Sequence, residues 1–272
     1  MGQVPNFLSR HPIAAYFILV FVISWGAILL LLGPEGLPVA EDQVQFVGMA
    51  LLLGTTGAML ILTAAVDGKP GFRRLGKRLI HWKVSGRYYA VAFLMAPATA
   101  MATLLALSVI DSQFTPKIIG TEGRIQLIVM GMAAGLFIAF FEEIGWTGFA
   151  VPRMLQRHGV LFSGVLTGAL WGLWHFPPFW QADSLSAPLP FVLLMARLFS
   201  WIVAYRVLMV WLYGKTESLL LVILMHMSLV VCMIAIEPAL DGTALLTYIL
   251  SWTGVLWAIV GIGGAIIRVK QA

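Results

Sequence analysis

The sequence predicts an all-α, polytopic integral membrane protein with about eight transmembrane helices and a short amphipathic interfacial helix near residues 70–86. Of the 272 residues, 60% are hydrophobic and only 11% are charged, whereas soluble domains carry about 25% charged residues. The chain therefore has too few polar side chains to cover a water-soluble globule. Its apolar residues also form long continuous runs, close to the roughly 20 residues that a helix needs to cross a bilayer.

Eight apolar runs predict the membrane spans. They are too long and too continuous for barrel strands of about 10 alternating residues, so each is predicted to be a helix that satisfies its own backbone hydrogen bonds. No linker or internal repeat was found, so residues 1–272 are interpreted as one integral membrane domain with a motif-bearing core at 124–236. The runs cover residues 14–32, 46–66, 88–109, 124–144, 160–178, 189–213, 217–236 and 244–267.

The charged residues predict how the chain is oriented. With a cytoplasmic N-terminus and eight spans, 14 of the 17 lysines and arginines fall on the cytoplasmic side, and most acids, beginning with Glu35, fall on the other. This asymmetry follows the positive-inside rule, and seven or nine spans would destroy it. We therefore expect a multi-pass protein with both termini cytoplasmic, in a bacterial or archaeal cell membrane. The cytoplasmic set is Arg10, Lys69, Arg73, Arg74, Lys77, Arg78, Lys83, Arg87, Arg153, Arg157, Arg206, Lys215, Arg268 and Lys270.

The densest group of basic residues lies between residues 69 and 87. Within it, Phe72, Leu75, Leu79 and Trp82 recur at helical spacing, and most of the basic side chains fall off this apolar stripe. We interpret the stretch as an amphipathic helix on the anionic lipids of the inner leaflet. A nucleic-acid partner is disfavoured, because the aromatic side chains belong to the apolar stripe.

Four ionisable side chains inside the apolar runs are the candidate functional residues. A charged group at bilayer depth costs about 2.5–3.5 kcal/mol on insertion scales, so such residues are usually functional. The alternative is that the fourth run ends before its two glutamates, which would then lie in cytoplasmic water. Nine further residues without a charge follow these glutamates, which argues against that alternative. The candidates are Glu142, Glu143, His175 and His226.

Two arginines in the sixth run need a separate explanation. Arg206 is expected to extend, or snorkel, to the inner interface. Arg197 lies nearer the outer side, and it is expected to pair with an acid such as Asp183 or Glu237.

Glycines spaced four residues apart predict close helix packing around the candidates. Small residues at this spacing let membrane helices approach one another closely. Such packing on the fourth and fifth helices would bring the carboxylates near the imidazoles. The glycines are Gly131 and Gly135 on the fourth helix, and Gly164, Gly168 and Gly172 on the fifth.

A glutamate near two histidines can hold a water and deprotonate it for amide hydrolysis. With a divalent metal such as zinc, the same groups would be ligands that make the bound water more acidic. Adjacent helical residues point about 100° apart, so only one of Glu142 and Glu143 can be the base. The other is expected to be its partner or part of a structural ion pair. The two prolines after His175 predict a helix break there.

The order of these residues resembles the CPBP family of membrane proteins, which includes CAAX prenyl proteases and bacteriocin-immunity-type proteins. The motifs read EEIGWT from Glu142, WGLWH ending at His175, and HMSLV from His226. The resemblance implies intramembrane proteolysis of a membrane-associated peptide or protein substrate, prenylated or not, by a metalloprotease or a glutamate-type endopeptidase. It also implies that Glu142 activates the water, with Glu143 as the second glutamate. His175 and His226 would hold the water or, with Glu142, a metal.

Two positions depart from the family pattern. Thr147 stands where the pattern has arginine, and Val230 stands where many members have an asparagine thought to stabilise the oxyanion. Ser228 lies about 160° from Val230 around a helix, so it is a poor substitute. The loss of an oxyanion donor can reduce a rate by about 10²–10³. The alternative function is therefore a non-catalytic membrane protein on the same scaffold, with an immunity or chaperone-like role.

A proton-coupled transporter is the third interpretation of the intramembrane glutamates and histidines. Transporters of this kind are often built from repeated halves with paired helix breaks. The sequence shows neither feature, so this interpretation is disfavoured.

Overall fold

The computed structural model describes residues 7–33 and 36–269, and it shows helices and no strand within them. Glu35 and Lys270, which contributed to the predicted orientation, lie outside the described residues. The helices are α1 Phe7–Arg10, α2 Pro12–Leu32, α3 Val44–Leu62, α4 Gly68–Leu79, α5 Gly86–Ser108, α6 Arg124–Gly145, α7 Val151–Leu155, α8 Val160–Trp174, α9 Phe176–Phe179, α10 Pro188–Phe199, α11 Trp201–Thr216, α12 Leu219–Ala235 and α13 Gly242–Val269.

Six helical segments of the described chain are long and apolar enough to cross a membrane, and two shorter apolar helices accompany them. Together they correspond to the eight predicted runs, and the predicted all-α polytopic class is confirmed. The orientation and the number of membrane crossings stay predictions. The six segments are Pro12–Leu32, Glu41–Leu79, Gly86–Ser108, Arg124–Leu155, Pro188–Thr216 and Gly242–Gly264, and the shorter helices are α8 and α12.

The sixth run was predicted as one helix, but it forms two, α10 and α11. They meet at Ser200, whose ψ of −95° lies outside the helical range. The end of α10 lies against α8, where a methyl group added at Gly172 would lie 1.7 Å from the Leu198 carbonyl oxygen. The apolar pattern of residues 189–213 predicts one continuous helix, because a local pattern carries no information about a contact with a distant part of the chain.

The interfacial helix is shorter than predicted. Helix α4 ends at Leu79 rather than near residue 86, because Ile80 leaves the helical conformation with ψ at 11°. A π-helical segment, Thr63–Asp67, joins α3 to α4. Gly68 turns the chain there with a φ of 58°, which few residues other than glycine adopt without strain.

The glycine stripes pack two helix pairs closely, as predicted. On α6, a methyl group added at Gly135 would lie 2.8 Å from the Met227 carbonyl oxygen of α12. On α8, one added at Gly168 would lie 2.8 Å from the Val203 Cα of α11. These contacts place four helices, α6, α8, α11 and α12, around one buried centre.

Candidate active site

The two adjacent glutamates lie at the end of α6 inside the protein. Glu142 is 3% exposed and Glu143 is 0% exposed, so neither lies in cytoplasmic water. The helix continues through a π-helical segment, Trp146–Ala150, into α7. Short π-helical segments of this kind are often found at functional sites.

Glu143 is held by charged and polar groups from three helical segments. Arg206 Nη1 on α11 donates to its Oε2 at 2.8 Å, and the Thr147 hydroxyl donates to the same oxygen. The His226 Nδ1 on α12 lies 2.9 Å from Oε1. Glu143 therefore forms an ion pair with Arg206, whereas its assignment to a catalytic or a structural role stays a prediction.

The prediction that Arg206 snorkels to the inner interface is wrong. Its side chain is fully buried, and it pairs with Glu143, which lies 63 residues away in the sequence. Position along a helix cannot reveal a partner so distant in the chain. Arg197 also differs from expectation, because the described residues offer it no salt bridge and its guanidinium lies 5.8 Å from the Phe179 ring.

Trp171 joins the other members of the site. Its Nε1–H donates to Glu142 Oε2 at 2.7 Å, and the Arg206 guanidinium lies over its ring at 4.1 Å. The rings of His226 and His175 lie edge-on, with centroids 5.3 and 5.4 Å from that of Trp171. The sequence marks Trp171 as the aromatic residue of the second motif. It does not show that Trp171 contacts four other residues of the site, which are Glu142, Arg206, His175 and His226.

The backbone and carboxylate partners define which nitrogen each histidine presents to the site. His175 lies between α8 and α9, at the predicted break, with Nδ1 at 2.8 Å from the Trp171 carbonyl oxygen. A carbonyl oxygen only accepts, so Nδ1 must donate. The same argument applies to His226 against the Glu143 carboxylate. In its neutral form, each imidazole would keep Nε2 as an acceptor.

The guanidinium of Arg206 has hydrogen-bond donors that the ion pair with Glu143 does not use. Within the described residues, its Nε and Nη2 atoms are buried and have no hydrogen-bond partner. A buried donor without a partner is unfavourable by about 1–3 kcal/mol. The N–H groups on these two nitrogens are donors that Glu143 and the other described residues leave unused.

The third motif offers no side-chain donor at the position where asparagine is common. Val230 is apolar and packs near Gly135. The Ser228 hydroxyl lies 2.7 Å from the Ala92 carbonyl oxygen and 2.8 Å from that of Met225. It therefore bonds to the backbone rather than to the glutamates, which is consistent with the prediction that Ser228 is a poor substitute for the asparagine.

The predicted metal ligands were Glu142, His175 and His226, and these residue types are ordinary zinc ligands. Across residues 7–33 and 36–269, however, no group of three or more His, Cys, Asp or Glu side chains is arranged to hold a metal ion. Glu142 instead accepts the Trp171 N–H. As placed, these residues do not fit a metal centre, and a role for zinc stays a prediction.

Comparison with known proteins identifies the region that carries the site. The family model for type II CAAX prenyl endopeptidase Rce1-like proteins matches residues 124–232. Residues 124–232 are therefore similar to the proteins of that family. The CAAX prenyl protease 2 of Methanococcus maripaludis is 26% identical over 174 residues, which is 60% of this chain and 60% of that protein.

The family resemblance inferred from the three motifs is thereby confirmed. The alignment spans less than two thirds of the archaeal relative's length. The matched residues run from α6 into α12, and they include all four candidates. Their assignment to catalysis stays a prediction.

Proposed function

We propose that this protein is a CAAX-protease-like intramembrane endopeptidase that hydrolyses a peptide bond near the cytoplasmic leaflet. The proposal is carried by the different surroundings of two adjacent carboxylates. Glu143 is bonded to Arg206 and His226, which supports a role in holding these two side chains in place. Glu142 receives the neutral N–H of Trp171, which leaves it suited to act as a base.

In this mechanism, Glu142 takes a proton from a water as the water oxygen attacks the scissile carbonyl carbon. A water donates two hydrogen bonds, so Glu142 accepts one and the Nε2 of His175 or His226 accepts the other. The proton then passes to the leaving nitrogen as the C–N bond breaks. The products are a carboxylic acid and an amine, so water is the only co-reactant.

The developing oxyanion needs donors that Val230 does not provide. Arg206 has two buried N–H groups without partners among the described residues. A cation in a buried, fixed position stabilises such charge strongly. We therefore assign oxyanion stabilisation to Arg206, with Glu143 holding the guanidinium in place.

The expected substrate is a membrane-associated peptide or protein, prenylated or not. The archaeal relative is named as a CAAX prenyl protease, which supports a prenylated substrate. Zinc stays a proposed cofactor, for which Glu142, His175 and His226 would be the ligands, and no step of the mechanism above depends on it.

The deciding experiment measures peptidase activity of detergent-purified protein on matched prenylated and unprenylated peptides. Wild type is compared with Glu142→Gln, His226→Ala and the control Glu122→Gln, which changes an exposed loop residue. We expect at least about a 100-fold loss in the first two variants and none in the control. Thermal unfolding checks that each variant is folded, and elemental analysis counts bound zinc. Unchanged cleavage by folded Glu142→Gln would overturn the proposed mechanism.

A non-catalytic role on the same scaffold is the second candidate function, and Val230 is the observation that favours it. It predicts no cleavage of any peptide by folded wild type. It also predicts that Glu142→Gln leaves the cellular phenotype of the protein intact.

A further inference from the structure

A second group of charged residues lies beside the candidate active site, around a cavity of about 240 Å³. We call it the basic pocket, and define it by Asp67, Arg74, Arg78 and Arg153, with Gly148 and Phe149 in its wall. It lies between α4, the Thr63–Asp67 segment that precedes it, and the Trp146–Ala150 segment that leads into α7. Arg153 belongs to α7 itself, so the pocket is formed by four helical segments rather than by one.

Two glycines let α4 close the pocket. A methyl group added at Gly71 would lie 2.4 Å from the Asp67 Cβ, and one added at Gly148 would lie 2.7 Å from the Leu75 Cδ1. Because neither position has room for a side chain, α4 packs directly on both neighbouring segments. The arginines on α4 and α7 consequently face a common space.

The charges of the basic pocket do not balance. Asp67 pairs with Arg74 at 3.0 Å and also with Arg153, so one carboxylate is shared by two guanidiniums. Arg78 contacts the neutral Gly148 carbonyl oxygen at 3.4 Å. Three arginines and one aspartate leave an excess of two positive charges, which favours entry of an anion.

We propose that the basic pocket binds the phosphate group of an anionic phospholipid. Arginine is the side chain best matched to phosphate, because its planar fork donates two parallel hydrogen bonds. The lipid source follows from the surroundings of the pocket. Helix α4 and the turn after it expose Phe72, Ile80 and Trp82, with Ile80 73% and Trp82 61% exposed. Apolar side chains beside basic ones are typical of a helix lying in the headgroup region.

This inference does not rest on the proposed function, because it is tested by binding alone. The chain is purified in a zwitterionic detergent and titrated with dioctanoyl phosphatidylglycerol, dioctanoyl phosphatidylcholine or inorganic phosphate. The thermal unfolding midpoint is recorded at each concentration, since a ligand of the folded state raises it. We expect a saturable increase with phosphatidylglycerol that is absent or much weaker with the other two.

The variants separate the basic pocket from general surface charge. Arg78→Gln removes the arginine that is not paired with Asp67, so the fold should tolerate it. Arg73→Gln makes the same charge change on the same helix but outside the pocket. We expect half-saturation to weaken about tenfold for Arg78→Gln, roughly the value of one charged contact, and to change less than about twofold for Arg73→Gln.

Each other outcome contradicts the proposal at a defined point. A saturable response to inorganic phosphate that is lost in Arg78→Gln would support phosphate recognition and overturn the lipid source. Equal weakening by Arg73→Gln and Arg78→Gln would show diffuse attraction to the basic surface, and would overturn the pocket. The absence of any saturable response in wild type would overturn both.

Discussion

Two clusters in this molecule combine arginines with a carboxylate, and their surroundings give them different consequences. In the candidate active site, Glu143 and Arg206 are both fully buried, and one guanidinium serves one carboxylate. In the basic pocket, Arg74 has 52% of its side chain exposed, and Asp67 is shared between two arginines. Removing one partner of a buried pair leaves an uncompensated charge, whereas water screens an exposed one. Removing one member of the first cluster should therefore destabilise the fold strongly, and the second cluster should be free to serve a ligand.

The largest expected effect is on the buried pair. Arg206→Met leaves the Glu143 carboxylate buried without its cation, and such losses cost about 3–5 kcal/mol. The free energy of unfolding can be measured by titrating detergent-purified protein with SDS. A loss below about 1 kcal/mol would show that the buried pair behaves like the exposed one.

Moving the arginine from position 206 to position 147 tests whether stability and activity need only a positive charge beside Glu143 or need that charge at position 206. Thr147 and Arg206 both donate to Oε2 of Glu143, so an arginine at 147 can reach the same oxygen. We expect Thr147→Arg to restore about half or more of the stability lost in Arg206→Met, and to be unfavourable in wild type because two guanidiniums would then compete. Peptidase activity should not return with it, if Arg206 also binds the oxyanion. Full recovery of activity would limit Arg206 to holding Glu143.

The distance between α6 and α12 affects only the buried cluster, because Glu143 lies on α6 and its partner His226 lies on α12. Gly135→Ala would place a methyl group 2.8 Å from the Met227 carbonyl oxygen, so α6 and α12 must separate. We expect a loss of about 1–3 kcal/mol in unfolding free energy, with reduced peptidase activity. Gly254→Ala is the matched control, since nothing lies within 4 Å of the added methyl group. Equal effects of the two variants would contradict the role assigned to close packing.

Glu237, a carboxylate in a loop, has a raised pKa, and its hydrogen-bond donor is a neutral hydroxyl rather than an arginine. Glu237 lies between α12 and α13 and accepts a hydrogen bond from the Tyr248 hydroxyl at 3.0 Å. Burial raises its pKa from 4.5 to about 7, so the folded state holds a proton that the unfolded state releases at lower pH. This contribution is complete below about pH 4.5 and is lost as the pH rises through about 7.

Unfolding free energy measured from pH 4.5 to 8 should therefore fall by about 1–3 kcal/mol through this group. Glu237→Gln mimics the protonated side chain, so it should remove that part of the decline. An identical pH profile in wild type and Glu237→Gln would show that Glu237 titrates normally.

The smallest effect is expected in the basic pocket. Arg74→Gln breaks an ion pair that is partly exposed, and Arg153 still neutralises Asp67. The unfolding free energy should change by less than about 1 kcal/mol, even though one salt bridge is lost there as in Arg206→Met. A loss comparable to that of Arg206→Met would remove the distinction between the two clusters.

The sequence predicted the helices and singled out polar residues that the fold brings close together, but it did not predict which side chains bond to one another. Apolar runs predict the spans because a single property, helix length in lipid, determines them. Glycine spacing likewise predicted that the fourth and fifth helices pack closely, since close approach requires small residues, but it did not predict that α12 and α11 are their partners. The partner of Glu143 was missed because Arg206 lies 63 residues away, and because arginine near a helix end usually extends to water. The break at Ser200 was missed because only the contact with α8 marks it.

The short length of α8 has a consequence for the membrane itself. Its 15 residues span about 22 Å, whereas the hydrocarbon layer is about 30 Å thick. Leu161, Phe162 and Leu166 are exposed on this helix, so lipid is expected to contact it directly. If α8 crosses the membrane as the sequence predicts, local thinning of the bilayer is a common way to accommodate so short a helix. A thinner bilayer beside α8 would shorten the path that water and a peptide must take from the aqueous phase to His175.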